Sequence, residues 1–311
     1  MTGATGMVGN ALVPVLLDAG CSVRASARHA ANTTWAQHPR CEFVSHDLDK
    51  DPAGLVHSMD AVVHLAARVH VMSDTAADPL AENRRLNTSA TLTLARAAMA
   101  AGSRHFVFMS TIKVNGESTV DRPFTEADTP QPQDPYAISK FEAEQGLVAL
   151  ATGGSMDVTI LRPPLVYGVG VKGNFASLVQ AIRKGLPLPL GAIRNRRSLI
   201  YAGNLADAVL AALQQPAPGA RTYLVSDGKD LSTPELIRAI AAAMGRNARL
   251  VSVPPALLRL AGRLTDRSAA VDRLLGSLVI NASRIRAELG WSARHSPSEG
   301  LRRSLSNSIG G

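Results

Sequence analysis

Three glycines at three-residue intervals, Gly3, Gly6 and Gly9, stand directly before an apolar-periodic segment from Ala11 to Leu17 that Gly20 ends. This order predicts a tight turn feeding a helix, and it restricts the fold more than any other stretch of the chain. Glycines at such a turn let backbone N–H groups approach a pyrophosphate, and the helix N-terminus carries partial positive charge to hold it. A glycine repeat alone is often only a loop. The turn also needs a strand before it, and only Met1 and Thr2 precede Gly3. That strand would be central in a parallel sheet, so its neighbours would be left with unpaired backbone groups. Two readings stay open: the natural start lies upstream of Met1, or the fold is interrupted at its middle.

Downstream, strands and helices alternate. Ser22 to Ala27 reads as a strand that ends in Arg28 and His29 rather than in a carboxylate. An acidic residue at this point grips the ribose 2′-OH of NAD, whereas an arginine accommodates the 2′-phosphate of NADP. The expected cofactor is therefore NADP or NAD, with NADP ahead. Glu42-Phe43-Val44 is a short strand, and Asp47-Leu48 beyond it offers a carboxylate to an adenine amino group. Ala61 to Ala67 is a continuous apolar run, as a strand buried on both faces requires, and His64 within it reads as structural. Asn87 to Ala101 has helical periodicity and stops at Gly102. The strand His105 to Met109 delivers Ser110 and Thr111 at its C-terminal end, the edge where open parallel sheets bind ligands.

Arg122 to Pro135 reads as a loop, and Asp157 to Arg162 as a sixth strand closed by Pro163-Pro164. The expected fold is α/β: a Rossmann-type doubly wound parallel sheet over 1–168, with a smaller, mostly helical substrate-binding region over 169–311. Strands near 197–226, at Arg197 to Ala202 and Tyr223 to Ser226, are expected to return to the first domain. Ser232-Thr233-Pro234-Glu235 has the pattern of a capping box and predicts a helix to Met244. In the leucine-rich stretch 254–278 the arginines fall at mixed spacings and the apolar runs are short, which favours a lid or core helix over a membrane-surface helix.

The net charge is +8, but the basic residues are scattered and aromatic content is only 4%, a poor match to a nucleic-acid-binding surface. An anionic small substrate accounts for the charge equally well. No apolar run reaches the ~20 residues of a membrane span, and no leader pattern opens the chain, so a cytoplasmic protein without a membrane partner is expected. Cys21 and Cys41 have no second pair, and the eight histidines show neither HxH nor HExxH spacing. Neither a disulfide framework nor a metal is expected.

Asp134-Pro135-Tyr136-Ala137-Ile138-Ser139-Lys140 opens another helix and places a phenol and an ammonium four residues apart on one face. An unperturbed tyrosine titrates near pH ~10, and a fixed positive charge beside it favours the phenolate. Lys140 is thus expected to make Tyr136 usable as an acid/base near neutrality.

Taken in this order, the glycine turn, His64-Leu65-Ala66-Ala67, Ser110-Thr111, Tyr136 with Lys140 and Arg162-Pro163-Pro164 resemble the extended short-chain dehydrogenase/reductase family. The likeness runs from Thr2 to about Leu301 and falls within the NAD-dependent epimerase/dehydratase branch that acts on nucleotide sugars. It implies cofactor contacts from Gly3, Gly6, Met7, Val8 and Gly9 at the turn, and from Arg28, Asp47 and Leu48 beyond the next two strands. It implies further cofactor contacts from Leu65, Ala66, Ala67, Asn87, Ser110 and Pro163, together with Tyr136 and Lys140. Thr111, three residues before Val114 of Val114-Asn115-Gly116, takes the role of the family's catalytic Ser/Thr; Asn115 departs from the usual Tyr. Asn174 matches an Asn near the nucleotide diphosphate, and Arg197 and Arg273 match arginines that pair with it, since a guanidinium fork suits phosphate oxygens.

Ala67 to Met72, Ile112 to Glu117 and Arg162 to Phe175 are most similar to UDP-N-acetylquinovosamine-type 4-keto reductases and UDP-glucose 4-epimerase-like proteins. Dehydratases of the family carry Asp-Glu after the catalytic Thr. This chain has Ile112 and Lys113, and an aliphatic side chain cannot supply a proton. The resemblance implies hydride exchange between a nicotinamide cofactor and C4 of a UDP-linked hexose. Tyr136 would move the proton at the C4 oxygen, Lys140 would hold the nicotinamide ribose, and Thr111 would hydrogen-bond the same oxygen. Reduction of a UDP-4-keto-6-deoxy-N-acetylhexosamine, in polysaccharide or O-antigen sugar synthesis, stands ahead of 4-epimerisation. The rival is a non-catalytic dinucleotide sensor, which has no need of the complete Thr111, Tyr136 and Lys140 set. The expected partner is a nucleotide-diphosphate sugar, and a homodimer is compatible with it.

Overall fold

A computed structural model describes residues 1–29, 33–69, 77–265 and 268–306. Residues 70–72 of the family-like stretch lie outside these. Gly6 opens helix α1 (Met7–Asp18), and strands β1 (Val23–Ala27) and β2 (Cys41–Ser45) follow as a parallel pair. A single helical turn, α2 (Ala53–Val56), precedes β3 (Ala61–His64). Helix α3 (Pro79–Asn83) passes through a π-helical turn, Arg84–Ser89, into α4 (Ala90–Ala100). Strand β4 (His105–Met109), helix α5 (Pro135–Gly153) and strand β5 (Asp157–Arg162) come next. Beyond them lie β6 (Leu165–Tyr167), α6 (Gly173–Arg183), β7 (Leu199–Tyr201), α7 (Ala202–Gln214) and β8 (Ala220–Leu224). Five helices close the chain: α8 (Thr233–Ala243), α9 (Pro255–Leu264), α10 (Ser268–Leu275), α11 (Ser283–Leu289) and α12 (Pro297–Leu305).

Strands β3, β4, β5 and β8 are parallel neighbours in that order. Thr2 bridges Ser26 of β1 on one side and His64 of β3 on the other, both parallel, and so joins the two sets. The resulting order is β2-β1-Thr2-β3-β4-β5-β8, with one residue standing where a central strand is expected. Its N–H donates to Val63 O at 3.0 Å and its carbonyl accepts from Leu65 N at 3.3 Å. Behind it the Met1 ammonium is buried and donates to Arg24 O at 2.7 Å. Burial, with Arg24 adding, pushes that amine down to about 5. A narrow cleft lined by Met1, Thr2, Ser26, Val62 and Leu94 continues along the line between β1 and β3.

The period-two alternation of a strand sorts β4 between two cores. Val107 and Met109 face one, with Leu12, Val13, Leu205 and Val209 from α1 and α7. Phe106 and Phe108 face the other, with Leu94, Ala98, Ala143 and Leu147 from α4 and α5. Each such fully buried large side chain contributes ~1.5–3 kcal/mol, so helices on both faces hold the sheet. A third core gathers Tyr167, Phe175, Ile237, Ile240 and Leu301 from β6, α6, α8 and α12. Strand β8 pairs with β5, whereas β7 pairs only with β6 in a separate two-stranded sheet. The Arg197 to Ala202 strand thus pairs with Leu165–Tyr167, which lies within 1–168, in a sheet separate from the one that β8 joins beside β5.

The capping box of α8 is formed, with Ser232 N donating to Glu235 Oε2 at 2.7 Å and Glu235 N to Ser232 Oγ at 3.3 Å. Helix α9 departs from the core reading of its stretch: Gly262 is its one buried residue. Cys21 and Cys41 are free thiols, half-buried against the first core. Among the described residues no helix is long and apolar enough to cross a membrane.

Candidate functional site

The glycine turn is closed so tightly that side chains are excluded. Gly3 has φ +71°, and a Cβ there would lie 2.8 Å from Ala66 N. A Cβ on Gly9 would lie 2.4 Å from Gly3 O. The end of β3 at Leu65 to Ala67, the turn and the first residues of α1 are thereby held in contact. No side chain caps α1 at Gly6, which leaves the N–H groups of its first turn, at Met7 and Val8, to meet an anion. This cradle fits the pyrophosphate of a dinucleotide. Beyond the neighbouring strands, Arg28 is exposed and Asp47 and Leu48 are half-buried.

A directed chain of hydrogen bonds ties the turn to helix α5. The Thr91 hydroxyl donates to Asn87 O at 2.7 Å, so its oxygen must accept from His64 Nε2–H at 2.9 Å. His64 Nδ1 then accepts from the Thr2 hydroxyl at 2.6 Å. Burial, reinforced by the Lys140 and N-terminal charges, pushes the imidazole down to about 3 and keeps it neutral. Asn87 accepts from Arg68 N at 2.8 Å and donates to Arg68 O at 3.1 Å and Ser139 Oγ at 3.0 Å. Ser139 in turn donates to Tyr136 O at 2.8 Å. The amide of Asn87 is thus spent on the protein, and its part is to hold the β3 loop against α5.

Asp134 caps α5, accepting from Ala137 N at 2.7 Å, with Pro135 in the first turn. This places Tyr136 at the start of the helix and Lys140 one turn on. Lys113 pairs with Asp134 and, at 3.2 Å, with Glu117, which braces that start. Thr111 begins the short 3₁₀ turn Ile112–Val114, and its Oγ1 accepts from Lys113 N at 3.3 Å, leaving the hydroxyl proton to donate elsewhere. The turn packs against α5.

Two expectations need correction here. Lys140 does not steady a Tyr136 phenolate: its Nζ donates to Met109 O at 2.9 Å and lies 4.3 Å from the centre of the Phe108 ring. Burial pushes Lys140 down to about 7, against the pull of Glu144. Burial also raises the Tyr136 phenol well above its ordinary value, with Asp134 adding, so tyrosine is in its neutral, proton-donating form. Ser110 is likewise committed elsewhere, because its hydroxyl donates to Glu144.

Glu144 belongs to a buried network that motif reading does not reveal. Arg162 grips both its carboxylate oxygens, Nε at 3.0 Å. Arg162 Nη1 also donates to Asn115 Oδ1 at 2.9 Å, and Asn115 Nδ2 donates to Thr125 O at 2.9 Å. The Asn that replaces the family's Tyr is therefore an acceptor for a buried guanidinium. Pro163 O accepts from Ile112 N at 2.9 Å and fixes the Thr111 turn to the end of β5.

On the opposite side, Asn174 is exposed in the first turn of α6. Arg197 Nη1 donates to Arg273 O at 2.7 Å and to Gly276 O at 3.1 Å, the carbonyls at the end of α10. Of the three residues expected at the diphosphate, Arg197 and Arg273 are brought together, Arg273 through its backbone.

The sheet order and the uncapped glycine turn define a Rossmann-type dinucleotide-binding fold. Its sequence matches the description "NAD dependent epimerase/dehydratase family" over residues 1–226, and the chain belongs to that family. It is 41% identical over 305 residues to a UDP-glucose 4-epimerase of Vibrio cholerae, covering 97% of this chain and 92% of that protein. A UDP-glucose 4-epimerase of Mycolicibacterium smegmatis is 29% identical, with 98% of this chain and 96% of that one covered. The fold is shared with the crystal structure of UDP-glucuronic acid 4-epimerase from Bacillus cereus in complex with NAD. That match has TM-score 0.80 at 20% identity and covers 100% and 98% of the two chains.

Proposed function

We propose that the chain is a NAD-dependent 4-epimerase of a UDP-hexose, with catalysis by Thr111, Tyr136 and Lys140 and the substrate held by residues of 169–311. The observation that carries this reading is the 41% identity, over nearly the full length of both chains, to a UDP-glucose 4-epimerase. Bound NAD would supply the acceptor and donor of the C4 hydride. The glycine cradle at Gly3, Gly6 and Gly9 would hold its pyrophosphate, and Arg28, Asp47 and Leu65 to Ala67 would border it. Tyr136 moves a proton at the C4 oxygen, and Thr111 donates to that oxygen where charge develops. Lys140, fixed by the Met109 carbonyl and the Phe108 ring, is positioned from behind rather than by Tyr136. Arg197, tied to the end of α10, and Arg273 offer charge to the diphosphate, and Asn174 offers a neutral amide from α6.

A second reading is net reduction of a UDP-4-keto-6-deoxy-N-acetylhexosamine by NADPH. Two observations favour it: exposed Arg28 stands at the end of β1 where a carboxylate would select NAD, and Tyr136 is held in the form that gives up a proton. Purified protein incubated with UDP-glucose and catalytic NAD⁺ should form UDP-galactose without consuming cofactor. Stoichiometric oxidation of NADPH with a 4-keto sugar, and no interconversion of the two hexoses, would replace epimerisation by reduction. Arg28→Ala sharpens the choice: loss of affinity for NADP alone, by about tenfold, identifies a 2′-phosphate contact.

A further inference from the structure

Helix α9 carries a stripe of leucines that no other described residue covers. Leu257, Leu260 and Leu264 are 54%, 52% and 79% exposed. At 100° a residue the three lie within roughly 60° of one another around the helix. Gly262 falls on the opposite side, where α9 meets α10: a Cβ on Gly262 would lie 2.8 Å from Val271 Cγ2. The stripe therefore points away from the body of the protein. Arg259 and Arg263 lie along one side of it, and both are exposed; Arg259 reaches Asp272 at 3.6 Å. Val251, just before the helix, is 48% exposed.

We infer that α9 is a docking surface for an anionic lipid membrane. A short helix with leucines along one side and arginines beside them is suited to lie in the headgroup plane, its apolar side sunk toward the acyl chains. Charge chooses this occupant over a second copy of the chain. Residues 244–276 hold six arginines against two aspartates, with no lysine or glutamate. A two-fold contact through α9 would bring exposed Arg259 and Arg263 toward their own copies, whereas acidic headgroups complement them. Contiguous apolar surface rimmed by charge is seldom left in solvent without a partner. This inference is independent of which sugar the enzyme turns over. It also reverses the expectation that the chain has no membrane partner, because that expectation weighed run length rather than exposure.

The test is flotation of the full chain with vesicles of phosphatidylglycerol and phosphatidylcholine in equal parts, against vesicles of phosphatidylcholine alone. The wild type should float with the anionic vesicles at low salt and be released as salt is raised. The triple variant Leu257→Glu, Leu260→Glu, Leu264→Glu should lose binding by at least about tenfold. Arg263→Glu should weaken it by several-fold and leave the leucines in place. Both variants alter exposed positions, and circular dichroism with turnover in vesicle-free buffer should match the wild type. Equal flotation of wild type and triple variant, or no flotation of folded wild type, overturns the inference. A wild-type dimer in light scattering that the triple variant converts to monomer, without vesicle binding, overturns it in favour of a second copy.

Discussion

The side of the site that carries Thr111, Tyr136 and Lys140 is threaded by buried hydrogen bonds, whereas the side that carries Asn174, Arg197 and Arg273 rests on exposed turns and short helices. On the first side buried polar groups reach distant parts of the chain: His64 between Thr2 and Thr91, Asn87 between Arg68 and Ser139, Arg162 between Glu144 and Asn115. Fully satisfied buried networks rigidify their surroundings and hold a geometry to a fraction of an ångström. On the second side, Arg197 is tied to α10 by hydrogen bonds to two carbonyls. The proposed chemistry at one carbon needs the first kind of support. The proposed pocket for a large anion tolerates the second.

The sharpest way to break this contrast is Tyr136→Phe. It should lower turnover by ~10²–10⁴ while melting temperature and cofactor affinity stay near wild type, because only the proposed proton-transfer group is removed. Steady-state rates with a UDP-sugar and a fluorescence titration with NAD decide it; retention of a tenth of the activity would assign the proton to another residue. Next in size is Glu144→Ala, which strands the buried Arg162 charge and should cost about 3–5 kcal/mol in urea unfolding. Replacing both partners by methionine should recover most of that loss.

His64 makes the first side sensitive to pH. Its folded value of about 3 lies below the ordinary 6.5, so between these values the unfolded chain binds a proton that the folded one refuses. The contribution is whole above pH 6.5 and is lost as pH falls toward 3. Between pH 6.5 and pH 5 the loss should be about 2 kcal/mol, and His64→Gln should flatten the unfolding profile by that amount. An identical slope in the variant would show that other groups set the profile. The smallest effect is expected on the second side: Arg197→Ala should raise KM for the UDP-sugar by about tenfold and leave urea unfolding almost unchanged. A loss of stability as large as that of Glu144→Ala would erase the contrast.

Local signals made most of the framework legible. The glycine spacing announced the turn, the apolar run within His105 to Met109 marked a strand that lies buried between two cores, and Ser232 with Glu235 marked a helix start that is observed. What stayed hidden joins residues far apart in the chain. Arg162 meets Glu144 across 18 residues and Asn115 across 47, so Asn115 looked like a lost tyrosine until its partner was seen. Helical spacing put Lys140 on the face of Tyr136, but spacing does not say where a four-carbon side chain ends, and it ends at Met109 O. Asp134 was legible in principle, since Asp before Pro is a common helix start. The exposure of α9 was not, because whether a leucine stripe is covered depends on elements distant in sequence.

The fixed tautomer of His64 has a further consequence. Its Nε2–H is enclosed by Thr91, Phe106 and Phe108 and points along a chain that runs from the glycine turn to Asn87. A ring proton so enclosed exchanges with solvent only when the strand, the turn and the π-helical segment part from one another. After transfer into D₂O its nuclear resonance should outlast those of the other imidazoles, and its decay would time the breathing of the cofactor cradle in a protein whose chemistry is otherwise silent.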